Sequence, residues 1–171
     1  MGEHLESPST KEGAVPIKER YAPSLLDRAL ALAVDAHAGH RSGTADDPPY
    51  ILHLLRVMAR VETDAERVVA ILHDAVEQGS DRISLARLRE EGFPEEIVEA
   101  IDCLTRRDGE EYDDFIERLA PNVLARRVKL ADLADNLDLL RSSVLTRDDF
   151  EGLQMRLRAW HRLRGMSDSG P

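Results

Sequence analysis

The stretch "VVAILHDAVEQGS", residues 68–80, carries apolar side chains at Val68, Val69, Ile71, Leu72 and Val76, the pattern of a buried helix. Into it are set His73 and Asp74, adjacent, and then Glu77. A charge among such neighbours costs several kcal/mol unless it is paired or bound to a metal. The stretch therefore predicts a core helix that carries chemistry, and the rest of the chain must supply either a partner or a cation.

Working outward, the apolar spacing is helical nearly throughout. Ser24 stands where it can cap "LLDRALALAVDAH", and "AGHRSGTADDPPY", with its glycines, prolines and paired aspartates, predicts a loop over about 39–49. "YILHLLRVMARV" resumes the helical pattern, and Thr63 or Asp64 caps a helix that contains the opening stretch and stops at Gly79. "SLARLREE" ends at Gly92, Pro94 opens "PEEIVEAIDCLTR", and Gly109 precedes "EEYDDFIERLA". Pro121 starts a long helix, "PNVLARRVKLADLADNLDLLRS", and the amphipathic "DDFEGLQMRLRAWHRLR" closes the series. Seven or eight helices with no convincing strand predict a compact all-α bundle over residues 23–164, between flexible tails at 1–22 and 165–171.

A chain of 171 residues suffices for one domain with a real core. Its 23 basic and 33 acidic residues give a formal charge of −10, which argues against a nucleic-acid or anionic-membrane binder; a small polyanion would need a local cluster of cations. The single cysteine, Cys103, excludes an intrachain disulfide and a thiolate zinc site, and fits a reducing, cytoplasmic setting. No segment approaches the roughly 20 apolar residues of a membrane span. Trp160 and the arginines around it are expected to pack the last helix onto the bundle or onto a second copy of the chain, a homodimer.

Adjacent helical residues point about 100° apart, so His73 and Asp74 flank one ion from a single turn, with Glu77 one turn further on the His73 side. Other helices offer His53, which interrupts the apolar stripe of "YILHLLRVM", and Asp132, with Lys129 and Asn136 on the same face. A lone histidine such as His53 reads more readily as a core residue bonded to a backbone carbonyl. Two imidazoles and two carboxylates converging from three helices would instead form a nitrogen and oxygen site suited to manganese, iron or zinc.

"PYILH" (49–53), "ILHDAVE" (71–77) and "KLADLADNL" (129–137), in that order, resemble the hydrolase domain of the RelA/SpoT enzymes, a branch of the HD superfamily of metal-dependent phosphohydrolases. The resemblance runs from about residue 25 to 165 and is to small alarmone hydrolases without a synthetase domain. It implies an all-helical fold, with His53, His73, Asp74 and Asp132 holding one Mn²⁺ or another divalent metal. It implies removal of the 3′-pyrophosphate from guanosine tetra- or pentaphosphate, a purine polyphosphate, by metal-activated water. Glu77 matches the first member of an acidic pair that orients or deprotonates that water; Gln78 stands in the place of the second, where an amide cannot accept the proton. Asn136 matches an asparagine that contacts the nucleotide, and Asp135 replaces a histidine or tyrosine. Of the basic loop that packs against the purine in relatives, only "RSG", with Arg41 and Ser42, is recognisable.

Lys129, Arg41 and Arg126 or Arg127 are candidates to hold the distal phosphates, and Thr105, Arg106 and Tyr112 to line the nucleotide pocket. His37 and His40 flank the loop, as phosphate ligands or as ordinary loop-edge residues. Gln78 and the altered loop keep two further readings in play. One is a phosphohydrolase for another nucleotide, such as an adenosine alarmone; the other is a nucleotide sensor without turnover.

Overall fold

The computed structural model describes residues 24–41, 48–78, 83–141 and 147–166. The tail expectations for 1–22 and 167–171, and Ser42 with most of its loop, lie outside the described residues. The helices are α1 (Leu25–Ala36), α2 (Ile51–Met58), α3 (Asp64–Leu72), α4 (Ala75–Gln78), α5 (Leu85–Glu90), α6 (Glu95–Leu104), α7 (Tyr112–Leu119), α8 (Val123–Asn136) and α9 (Arg147–Arg164), with a 3-10 turn at Leu139–Arg141. Among the described residues the only β pairing is one isolated bridge, Arg41 with Pro49, so the all-α expectation holds.

Local chemistry fixes where the helices begin. Ser24 and Asp27 form a reciprocal capping box on α1, and Thr63 and Glu66 form another on α3, each side chain accepting a backbone N–H that the helix leaves free. Such a cap is worth about 1 kcal/mol. The turn from α5 into α6 passes through Gly92 at φ 76°, a left-handed conformation that favours glycine.

Two helices differ from expectation. The one expected to run unbroken to Gly79 divides at His73 and Asp74 into α3 and α4. The ring Nδ1 of His73 lies 2.8 Å from the Ala70 carbonyl, so the imidazole competes for the acceptor that an uninterrupted helix would offer the Asp74 amide. The long helix begins at Val123, with Asn122 rather than Pro121 as its cap, and stops at Asn136 instead of running through Ser142. Its last turn holds no basic residue, and Asp135 and Asp138 put carboxylates where the helix dipole is already negative.

Helix α3 is the centre of the bundle, with all of Val68–Leu72 buried, and packs against α1, α2, α6 and α8. A second apolar cluster joins Phe115, Ile116 and Leu119 of α7 to Leu133 of α8 and Ala159 and Leu163 of α9, with Trp160 packed against it. Helix α8 belongs to both clusters, so it carries residues from the main core to the face beneath α9. Among the described residues no helix is long and apolar enough to cross a membrane.

Candidate metal centre and its cavity

Packing α2, α3 and α8 together brings His53, His73 and Asp132 to one place. One ligand atom from each lies within 4.8 Å of the others, and all three residues are buried. His53 Nε2 stands 3.3 Å from Asp132 Oδ1, and His73 Nε2 stands 3.8 Å from the same oxygen. Asp74, the fourth expected ligand, adjoins them, its Oδ2 3.2 Å from His73 Nε2.

Both imidazoles are oriented from behind. The Ala70 carbonyl accepts from His73 Nδ1, and the Asp135 carboxylate, 82 positions from His53, accepts from His53 Nδ1 at 2.8 Å. These partners can only accept, so each Nδ1 carries a proton and each ring turns its Nε2 inward. His73 Nε2 is buried without a hydrogen-bond partner. A buried, unpartnered ring nitrogen beside two carboxylates is the surrounding a divalent cation satisfies, and the donor set of imidazole and carboxylate suits manganese, iron or zinc.

The carboxylates are held equally firmly. Asp132 Oδ2 accepts from Lys129 Nζ at 2.8 Å and Oδ1 from Asn136 Nδ2 at 2.6 Å, so Oδ1 also faces both rings. The Tyr50 hydroxyl donates to Asp74 Oδ2. Burial opposes ionisation of Asp74, but neighbouring His73 outweighs it and holds the carboxyl down at about 2. Burial likewise opposes a charge on His73, yet Asp74 and Asp132 push it up to about 10. Lys129 is raised above the usual lysine range, because Asp132 and Tyr112 overcome its burial. The centre demands positive charge, whether a proton on His73 or a metal.

The centre opens on a cavity of about 350 Å³ whose walls include Asp74, Glu77, Arg106, Tyr112, Lys129 and Arg156. Asp132 and Asn136 line it as well. Glu77 is exposed on α4, and its Oε2 accepts the Arg106 backbone N–H at 3.2 Å. Gln78 closes α4 beside it. Arg41 does not line this cavity; it borders a separate groove with His37 and His40. Arg126 is buried and donates to the Ala120 carbonyl, and Arg127 pairs with Glu66, so neither reaches the cavity. Their side chains leave α8 on faces other than that of Asp132, which the sequence did not resolve.

No family model matches the sequence, and no curated protein matches it. Among solved structures, a metazoan ortholog of SpoT that hydrolyses ppGpp and plays a role in starvation responses superposes with a TM-score of 0.67. It is 21% identical, over 86% of this chain and 90% of its own. The chain shares the fold of that protein.

Within this fold, four residues complete the site that sequence reading did not assign to it. Tyr50 fixes Asp74 from 24 positions away, and Asp135 fixes His53. Arg56 holds Asp135 through Nε at 2.9 Å and a second guanidinium nitrogen at 3.1 Å. Arg156 reaches the cavity from α9, half-buried. The i, i+3 spacing of His53 with Arg56 and of Asp132 with Asp135 was the available signal for the second and third. Tyr50 stands in the "PYILH" motif without a role that the sequence assigned, and nothing in the sequence pointed to Arg156.

Proposed function

We propose that this protein is a metal-dependent hydrolase that removes the 3′-pyrophosphate from guanosine tetra- or pentaphosphate. The observation that carries the reading is the convergence of His53 Nε2 and His73 Nε2 on Asp132 Oδ1 at the floor of a cavity that Arg106, Lys129 and Arg156 also line. His53, His73, Asp74 and Asp132 would hold the ion, with Mn²⁺ the proposed metal. When bound, a divalent cation polarises the phosphate under attack and acidifies the attacking water.

The chain's own groups supply the rest. Glu77, kept at the cavity by the Arg106 amide, accepts the water proton. The water oxygen bonds to the phosphorus attached at O3′, the O3′–P bond breaks, and O3′ leaves with a proton, giving a guanosine nucleotide and pyrophosphate. Lys129, Arg106 and Arg156 oppose the negative charge of the pyrophosphate, which a chain of charge −10 must do locally. Asn136 and Tyr112 contact the nucleoside. Arg41 lines the neighbouring groove rather than the cavity, which keeps an adenosine alarmone as the second reading.

The test is a panel of guanosine and adenosine 3′-pyrophosphates, 5′-triphosphates and monophosphates, assayed with Mn²⁺ and after chelation. Release of pyrophosphate from the guanosine 3′-pyrophosphates, lost on chelation, is expected. Preference for the adenosine compounds would move the assignment to the second reading, and binding without turnover of any of them would make the protein a sensor. Glu77→Gln should lower kcat by about 10²- to 10⁴-fold with metal retained. A wild-type rate in that variant would remove Glu77 from the proton transfer.

A further inference from the structure

Asp135 is wholly buried, and a carboxylate in such a place costs several kcal/mol unless its charge is answered. It is answered twice from α2. Arg56 grips both of its oxygens, at 2.9 and 3.1 Å, while Oδ2 also takes the His53 Nδ1 proton at 2.8 Å. His53 and Arg56 lie one turn apart on α2, and Asp132 and Asp135 one turn apart on α8, so the two helices meet through a row of four polar side chains. The row runs from Arg56, half-exposed at the rim, through Asp135 and His53 to Asp132 Oδ1 in the metal centre, the last step being 3.3 Å.

We propose that Asp135, pinned by Arg56, is a positioning residue that fixes the His53 ring with Nε2 toward the cation and strengthens it as a donor. This rests on the metal site of the reading above and goes beyond it. The ligand histidine has a carboxylate behind it. A carboxylate accepting from Nδ1–H excludes the other tautomer of the neutral ring and adds electron density at Nε2, which tightens metal binding. Arg56 has a defined part in this. Its fork matches both carboxylate oxygens, so Asp135 cannot rotate away from His53.

The experiment uses the full chain, freed of metal with a chelator, as wild type, Asp135→Asn and Arg56→Met. Mn²⁺ is titrated in against a competing chelating indicator, and long-range ¹H–¹⁵N NMR reads the His53 tautomer before any metal is added. Wild type should show the Nδ1–H form. Asp135→Asn should bind Mn²⁺ about 10- to 100-fold more weakly, and Arg56→Met should weaken it by a smaller factor in the same direction. Thermal unfolding of each variant is recorded alongside, since a packing role alone would lower Tm and leave metal affinity where it was. Mn²⁺ affinity within twofold of wild type, in whichever variant folds, overturns the proposal, as does an Nε2–H tautomer in the metal-free wild type. A wild type that binds no divalent cation would overturn the metal-site reading and this proposal with it; wild-type binding with unaltered variants would overturn this proposal alone.

Discussion

His53 and His73 present the same ring nitrogen to the same carboxylate oxygen, yet they are braced by different parts of the molecule. His73 leans on the backbone of its own helix, through the Ala70 carbonyl three residues back. His53 leans on a side chain 82 positions away, itself held by an arginine. The backbone brace is local and survives nearly any substitution. The side-chain brace exists only when α2 and α8 are packed, and one mutation removes it. The tertiary structure thus builds half of the centre robustly and leaves the other half adjustable.

The harshest way to break both halves is to remove the oxygen on which they converge. Asp132→Ala should abolish divalent-metal binding, and because it strands Lys129 in a site that is mostly buried it should cost about 3–5 kcal/mol in denaturant unfolding. A folded, metal-binding Asp132→Ala variant would show that the ion lies elsewhere. The next largest contrast is between the two braces. Replacing Asp135 should weaken the metal site while His73 keeps its tautomer, visible in the NMR spectrum as a change confined to one of the two rings.

A pH series sharpens the comparison on the His73 side. The Asp74 and Asp132 carboxylates raise His73 from 6.5 to about 10, so in the metal-free protein its contribution to stability is complete below 6.5 and is lost as pH rises toward 10. A metal ion must displace that proton. The gain in Tm on adding Mn²⁺ should therefore grow as pH rises above 6.5, and calorimetry in buffers of different ionisation heat should register proton release. A gain in Tm that is flat with pH would contradict a protonated His73.

The smallest expected effect lies at the far wall of the cavity. A Cβ at position 152 would sit 2.9 Å from the Arg156 Nη1 atom, so the glycine inside α9 leaves room for that guanidinium. Gly152→Ala should stabilise the helix by about 0.5–1 kcal/mol, and, by displacing Arg156, raise KM by less than about tenfold. A KM unchanged from wild type, with the stability gain present, would show that Arg156 does not grip the substrate.

The sequence by itself determined a good deal. Helical periodicity, the Ser24 and Thr63 caps and the absence of a strand pattern specified an all-α bundle, because these are properties of short stretches of chain. The imidazoles and carboxylates at 53, 73, 74 and 132 stood out because charged and polar groups on apolar helices are costly. Other features belonged to the packed molecule alone. The division of the helix at His73 needed the ring to find the Ala70 carbonyl, and the departure of Arg126 and Arg127 from the cavity depended on how α8 is rotated between two cores. Tyr50 on Asp74, Arg56 on Asp135 and Arg156 over Gly152 depend on side-chain directions, and two of the three join distant helices or segments. Spacing along a chain reports which residues share a face; only the meeting of faces decides which atoms touch.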